Sequence, residues 1–196
     1  HIWIMASSAL SFGRFERMSQ RLAEVSLPAS LEKVGNGVFY GCSALDKVYV
    51  ADLAALLEVS FSSMDSNPLY YGDLYLNGTR VTDVVIPNGI TEIKSYALYY
   101  PGMTSITVPA DVQKVGSNAF GDGTALEKVY VQDLSAWCAI DFQMYSANPL
   151  YYADLYLNGK LVTELVIPEG VTKIGTYAFS YPALTSVTFC TDVETV

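Results

Sequence analysis

The sequence predicts a repeat solenoid with a parallel β-sheet, and three observations carry that prediction. First, residues 67–78 read NPLYYGDLYLNG and residues 148–159 read NPLYYADLYLNG, so one phrase occurs twice. Second, proline and glycine stand at fixed places in each unit, which is expected where every coil turns at the same points. Third, a shorter phrase of the form apolar-x-x-apolar-x-apolar begins at Leu22, Leu45, Val81, Met103, Leu126, Val162 and Leu184.

The long repeat divides most of the chain into two halves. The shift that carries residue 67 onto residue 148 also aligns VIPNGITEI at 85–93 with VIPEGVTKI at 166–174, and no gap is needed. We call it the super-repeat shift. We therefore predict one solenoid over residues 22–196, made of two super-repeats at 28–108 and 109–189. Its last unit stops before an Ala-Phe pair, so we expect the solenoid to continue past residue 196. Residues 1–21 align poorly and place charge where the core is expected, which favours a degenerate N-terminal cap.

The short phrase predicts the course of one coil. In MTSITVP, Ile106 and Val108 alternate with polar residues, so they face inward from a short strand that Pro109 ends. A polar turn follows, then a second inward position at Val115, then an Ala-Phe pair that ends in Phe120. Each coil has an apolar edge that only a stacked neighbour can bury. We expect the seven strands to share one ladder, roughly 30 Å long at ~4.8 Å per strand.

The two longer units, which begin at Leu45 and Leu126, contain extra elements. Leu134, Trp137 and Ile140 recur at helical spacing, and the phrase LYLNGKLV that follows is a hairpin signal centred on Asn158-Gly159. Asn77-Gly78 repeats that signal in the first half. We therefore expect each insertion to project a helix and a hairpin from one coil of the solenoid.

These phrases carry a family resemblance. The segments IPEGVTKIGTYAFSYPALTSVTF at 167–189 and GVFYGCSALDKVYV at 37–50 resemble leucine-rich repeats of the BspA-like, or Treponema pallidum, type, because IP, IG and AF recur at set distances. The resemblance covers residues 22–196. It implies a right-handed solenoid with a parallel sheet on its concave side. It also implies a bacterial surface or secreted protein that takes part in adhesion and protein binding. Departures from the pattern are Lys94, Leu98 and residues 99–101.

Composition limits the partners. With 51% hydrophobic and 16% charged residues the chain can bury a sizeable core. Its net charge of -9 disfavours nucleic acid, since phosphate backbones would be repelled. No long apolar run predicts membrane insertion, and no signal peptide is visible. Cys42, Cys138 and Cys190 are odd in number and far apart, so we interpret them as core residues.

Catalytic machinery is not predicted. His1 is the only histidine, so triads lack their base and zinc sites lack their ligands. Asp73 and Asp154 recur in the duplicated phrase and would suit glycoside hydrolysis, but an Asp just before a strand more often caps a turn. We therefore predict no catalytic, cofactor-binding or metal-binding residues and no enzymatic activity.

The outward strand positions are the predicted binding face, because the sheet is the extended surface of a solenoid. Tyr49 and Tyr130 stand out, since aromatic side chains anchor interfaces; the alternative is that each packs beneath its own insertion. The tyrosine pairs at 70–71 and 151–152 are expected to pack rather than bind. The residues of the predicted binding face are Lys47, Tyr49, Asp83, Val85, Ser105, Thr107, Lys128, Tyr130, Glu164 and Val166.

Three functions remain open at this point. A surface module that binds a protein ligand, such as a host extracellular protein, is favoured by the repeat architecture. A carbohydrate-binding module is the alternative, because 15 Tyr and 2 Trp offer rings that stack on sugars. A solenoid enzyme of the polysaccharide-lyase type is the third; it would need carboxylates clustered with a basic residue on one exposed face, and the outward strand positions show no such cluster. A passive structural spacer between other domains of a larger surface protein also remains open.

Overall fold

The computed structural model describes residues 20–180 and 183–196 of the 196-residue chain. The predicted N-terminal cap at 1–21 therefore lies almost wholly outside the described residues. Most of the regular structure is short β-strand. The long strands, of three or four residues, are β1 (Glu24–Leu27), β3 (Lys47–Val50), β5 (Asp73–Leu76), β7 (Asp83–Val85), β9 (Ser105–Val108), β11 (Lys128–Val131), β13 (Asp154–Leu157), β15 (Glu164–Val166) and β16 (Ser186–Thr188).

The long strands pair in parallel, one per coil, as the repeat predicts. In the middle of the chain Val129 lies opposite both Ile106 and Leu155 in the ladder, and all three side chains are buried. The residues between them, such as Tyr130, face away from the core. Inward and outward positions therefore follow the predicted alternation. We call the surface formed by the outward side chains of the long strands the strand face.

The short strands form the second wall of the solenoid. Each of them has two residues, and its second residue is a buried apolar side chain. They are β2 (Lys33–Val34), β4 (Ser60–Phe61), β8 (Glu92–Ile93), β10 (Lys114–Val115) and β12 (Asp141–Phe142). These strands pair in parallel as β2-β4 and as β8-β10-β12. Phe120 is 1% exposed and belongs to the core cluster, which confirms the predicted core position.

The hairpins form where they were predicted. β6 (Thr79–Arg80) returns antiparallel to β5, and β14 (Lys160–Leu161) returns antiparallel to β13. The two turn residues have φ values of 51° and 78° at Asn77-Gly78, and of 51° and 73° at Asn158-Gly159. Positive φ at both central positions is the signature of the type I′ turn that Asn-Gly favours.

The prediction that the insertions project from the solenoid is wrong. The first strand of each hairpin, β5 or β13, is itself a rung of the long-strand sheet, opposite β3 or β11. The helices α1 (Leu53–Glu58) and α2 (Leu134–Cys138) pack inward, with Leu56, Leu57 and Trp137 buried. Because the apolar side chains of each helix are removed from water in this position, the hydrophobic effect stabilises the helix within its coil.

The prediction of one continuous ladder is also wrong. Among the described residues the long strands form three blocks, β1-β3-β5, β7-β9-β11-β13 and β15-β16. Ile106 and Val129 share a block, whereas Val166 belongs to another. The return strands β6 and β14 occupy the edge hydrogen-bonding positions of β5 and β13, so the next long strand cannot pair there.

The cysteines lie in or against the core, as the sequence predicts. Cys42 and Cys138 are buried free thiols and Cys190 is half-buried. Burial, followed by the charge of Asp133, raises the pKa of Cys138 to about 11. Within the described ranges no helix combines the length and apolarity needed to cross a bilayer.

Candidate binding face

The ten residues of the predicted binding face all lie on the strand face, exposed or half-buried. Register places them in rows that run across the strands. In the middle block one row consists of a valine, a threonine and two tyrosines. Val85 lies opposite Thr107, Thr107 opposite Tyr130, and Tyr130 opposite Tyr156. We call these four residues the tyrosine row. Glu164 and Val166 lie in the third block, beyond the second hairpin.

The tyrosines of the strand face occur as two matching pairs. The rings of Tyr49 and Tyr75 have centroids 5.4 Å apart at an interplanar angle of 49°. Tyr130 and Tyr156, their counterparts under the super-repeat shift, repeat the same distance and angle. Both alternatives for Tyr49 and Tyr130 therefore hold in part, because each ring faces outward and also contacts a ring of its own insertion.

Tyr75 and Tyr156 were missed by the sequence argument. They were assigned to a projecting hairpin, yet each lies on the same surface as its partner ring. The available signal was the pattern DLYL, which matches KVYV residue by residue: polar, apolar, Tyr, apolar. Such a match indicates a further rung of the same sheet, with the Tyr on the outer face.

The charged row beside the tyrosines differs between the two halves. In the first half Lys47 Nζ lies 3.2 Å from Glu24 Oε1. The hydrogen bond to Glu24, and then its charge, raise the pKa of Lys47. In the second half Ser105 stands where Glu24 would be, and Lys128 forms no ion pair with any described residue. Lys128 is therefore available to an acidic group of a ligand.

Two acidic residues of this surface, Asp83 and Asp73, are engaged with polar neighbours. Asp83 Oδ1 accepts hydrogen bonds from Ser105 Oγ at 2.6 Å and from Thr104 Oγ1 at 3.2 Å. Asp73 Oδ2 lies 2.6 Å from Arg80 Nε, and its Oδ1 accepts from Arg80 Nη2 at 2.9 Å. Asp73 thus anchors the return strand of its hairpin. This contact replaces the turn-capping role expected from the sequence.

Two apolar side chains of the strand face are well exposed, and each lies on the first strand of its block. Val85 is 59% exposed at the start of the tyrosine row, and Val166 is 67% exposed in the third block. Exposed apolar side chains beside half-buried tyrosine rings form the kind of mixed surface that protein interfaces use. The tyrosine row, Val166 and Lys128 together define the candidate site.

Groups for metal binding are not assembled in the described part of the chain: no three His, Cys, Asp or Glu residues lie close enough to hold an ion. The single histidine, His1, lies outside the described residues. The candidate site instead offers tyrosine rings, hydroxyl groups and the ammonium group of Lys128. Such groups can bind a ligand by stacking, hydrogen bonding and charge pairing.

Comparison with known families identifies the repeat. The family described as "BspA type Leucine rich repeat region" matches in six copies, over residues 11–127, 72–146 and 152–196. A search of curated protein sequences finds no significant match.

Several solved structures are similar to this chain. A leucine-rich repeat protein from Eubacterium ventriosum has a TM-score of 0.48 at 21% identity, covering 91% of this chain and 50% of that one. The pneumococcal vaccine antigen PcpA has a TM-score of 0.37 at 17% identity, covering 87% and 51%. A leucine-rich repeat protein from Bacteroides ovatus has a TM-score of 0.34 at 12% identity, covering 90% and 63%. The chain spans about half the length of the first two.

Proposed function

The chain belongs to the BspA-type leucine-rich repeat family, and from this premise we propose that it is a non-enzymatic module that binds a protein ligand through the strand face. The observation that carries the proposal is the tyrosine row with Lys128 beside it. Val85, Thr107 and the Tyr130-Tyr156 pair offer a continuous apolar and aromatic strip on a rigid sheet. Rigid aromatic anchors lose little conformational entropy on binding, which favours them as hot spots.

Cell-surface or secreted localisation is part of the same proposal, and membership of the family supports it. A ligand at the outside of a cell, such as a host extracellular protein, would meet the strand face there. The net charge of -9 favours a partner with basic groups around an acidic contact for Lys128.

The test is a binding screen with matched variants. Purified chain is applied to an array of animal extracellular-matrix proteins, each in native and enzymatically deglycosylated form. For each protein captured, Tyr130→Ala and Lys128→Ala should weaken binding at least tenfold, about 1.4 kcal/mol. Lys33→Ala is the control, because Lys33 is exposed on the short-strand wall. Equal affinity of the Tyr130→Ala variant and the wild type would exclude the strand face.

Carbohydrate binding is the second candidate. The two Tyr pairs favour it, since tyrosine rings also stack on sugar rings. The same screen separates the two functions. Binding that disappears on deglycosylation and returns with free oligosaccharide would favour the glycan, and binding that survives deglycosylation would favour the protein.

A further inference from the structure

The two tyrosine pairs of the strand face are one surface feature that occurs twice. We name Tyr49 and Tyr75 the first face pair, and Tyr130 and Tyr156 the second face pair. In each pair the two tyrosines lie opposite each other on neighbouring parallel strands, and the ring centroids are 5.4 Å apart at 49°. All four tyrosines are half-buried, so part of each side chain stays in contact with solvent.

The residues around the face pairs are also the same in both halves, although other exposed positions have changed. Outside the strand face, the super-repeat shift relates exposed Ser60 to Asp141 and exposed Asn88 to Glu169. Retention of aromatic and charged residues on a surface favours a binding role, and here it favours that role in both halves. The outward positions with the same residue in both halves include Lys47 and Lys128, Tyr49 and Tyr130, Asp73 and Asp154, Tyr75 and Tyr156, and Val85 and Val166.

The distance between the face pairs calls for an extended ligand. β11 is the fourth long strand after β3, so the pairs lie roughly 20 Å apart along the solenoid at ~4.8 Å per strand. Between them β7, β9 and β11 pair with one another, so their shared surface presents side chains rather than backbone groups. A ligand that runs across the strands to reach both pairs cannot join the ladder. Its backbone must therefore be solvated or satisfied internally.

A proline-rich segment in the polyproline II conformation meets these requirements. It is extended, its backbone is solvated, and it rises ~3.1 Å per residue, so six residues span roughly 19 Å. Its pyrrolidine rings can pack on tyrosine rings, and its carbonyl oxygens can accept hydrogen bonds from tyrosine hydroxyl groups. The net charge of -9 favours basic residues beside the prolines.

We propose that the two face pairs are equivalent subsites for one proline-rich polypeptide, which contacts both at once in the polyproline II conformation. The inference rests on the proposed function, since the ligand is a protein and the strand face is the contact. It adds that the ligand offers the same kind of contact twice, and that Tyr49 contributes as much as Tyr130. Binding at one pair holds further prolines near the other, which raises the overall affinity without a new kind of contact.

The experiment compares two fluorescently labelled peptides of different reach by anisotropy. A tetraproline peptide spans about 12 Å and can contact one face pair, whereas a decaproline peptide spans about 31 Å and can contact both. We expect the decaproline to bind the purified chain at least tenfold more tightly than the tetraproline. Equal affinities, or no binding of the decaproline, would overturn the proposal. Tighter binding of labelled cellohexaose, an extended glycan, would overturn it too.

Threonine variants assign the two subsites. Thr107 lies opposite Tyr130 in the same row, so Tyr49→Thr and Tyr130→Thr introduce a residue that this sheet already contains. Each variant should lose at least tenfold in affinity for the decaproline but only about twofold for the tetraproline, because one subsite remains. A loss in one variant alone would overturn the proposal, and the wild-type comparison decides it even if a variant fails to fold. Tyr40→Ala, in a turn outside the strand face, is the control and should change neither affinity.

The matrix-protein screen separates failure of this inference from failure of the proposed function. If Tyr130→Thr weakens the binding of a captured protein and Tyr49→Thr does not, the strand face is still the contact and the inference of two subsites is wrong. If neither variant weakens it, both proposals are wrong.

Discussion

Asn148 holds the backbone of Tyr177 in place: its Nδ2 donates a hydrogen bond of 2.7 Å to the Tyr177 carbonyl oxygen. The same amide donates to the Ala178 carbonyl at 3.0 Å, and its Oδ1 accepts from the Leu150 amide at 2.9 Å. Asn148 is fully buried. One side chain therefore joins the turn of one coil to the turn of the next, in which Tyr177 has a φ of 63°.

The first half repeats this contact. Asn67 Nδ2 donates to the Tyr96 carbonyl at 2.7 Å, and Tyr96 also has a positive φ, of 61°. Asn67 Oδ1 accepts from the Leu69 amide at 3.0 Å. The Asn of each NPLYY phrase is thus a buried connector between coils.

Replacing this connector should destabilise the protein strongly. Asn148→Ala leaves the buried Leu150 amide without its partner, which costs roughly 1 to 3 kcal/mol, and it also removes the hydrogen bonds that join this turn to the carbonyls of Tyr177 and Ala178. We expect a loss of about 3 kcal/mol in the free energy of unfolding, measured by urea denaturation. Asn36→Ala, at an exposed position, is the control and should change stability by less than about 0.5 kcal/mol. A loss below about 1 kcal/mol at Asn148 would contradict the connector role.

Phe120 should be one of the costly positions in the core. Its ring is buried in the core, so Phe120→Ala removes the transfer free energy of the ring and leaves a cavity. We expect a loss of about 3 to 5 kcal/mol by chemical denaturation. Phe189→Ala is the matched control, since that ring is half-exposed. If the two variants were equally stable, the assigned register of the coils would be wrong.

Gly175 should be intolerant of any side chain. A Cβ at this position would overlap the Ile140 carbonyl oxygen, which belongs to the preceding coil, and the Gly175 amide donates to the Cys138 carbonyl at 2.7 Å. Gly175→Ala is expected to cost about 1 to 3 kcal/mol, because backbone atoms must move. Gly35 occupies the equivalent place in the first described coil and has no neighbour within 4 Å of such a Cβ. Its alanine variant should lack that penalty in a thermal melt.

Glu92 should contribute to stability only above acidic pH. Hydrogen bonds from Lys94 and then from Lys114 lower its pKa below the ordinary 4.5. As pH falls, the unfolded chain therefore takes up the Glu92 proton before the folded chain does. The contribution of Glu92 to the free energy of unfolding is complete above about pH 4.5, and it is lost as pH falls through the lower pKa of the folded state. Because the group is partly exposed, Glu92→Gln should cost less than about 1 kcal/mol at pH 7.

The prediction for Glu92 is checked by measuring the unfolding free energies of the wild type and of Glu92→Gln at several pH values. The gap in unfolding free energy between wild type and Glu92→Gln should narrow as pH falls from 6 to 3. Glu58→Gln provides the comparison, since Glu58 is exposed and outside the ion pairs of the described residues. A gap that stays constant with pH would mean that the pairs with Lys94 and Lys114 do not form in solution.

The sequence was sufficient for features that depend on local pattern. The inward position of Ile106, the burial of Phe120 and the turn at Asn158-Gly159 follow from alternation, repeat spacing and turn chemistry. In each case the local pattern and the stacking of coils favour the same structure. The outward direction of Tyr130 follows from the same alternation.

Features that depend on pairing between distant segments were not predictable in this way. The match of DLYL to KVYV was an available signal, but the hairpin pattern that follows it favours a projecting element equally, and only the observed parallel pairing of β5 with β3 places that strand in the main sheet. An Asn before Pro is typical of an exposed turn, so nothing local indicates that Asn148 is buried. The expectation that Tyr151 packs away from solvent is wrong, because this residue is 47% exposed, whereas its counterpart Tyr70 is half-buried and contacts the ring of Tyr99 in the following coil.

The division of the long-strand sheet has a mechanical consequence. No ladder bond joins β6 to β7, or β14 to β15, among the described residues, and the short strands β4 and β8 are also not paired with each other. Tension along the solenoid axis is therefore carried across these seams by the core, by the connectors Asn67 and Asn148 and by single backbone hydrogen bonds such as that from Gly175 to Cys138. We expect a molecule stretched between its ends to part first at these two seams. In a force spectrum that would appear as early, small extensions before the four-stranded block ruptures. A tether of this design would lengthen under shear while its central surface stayed intact.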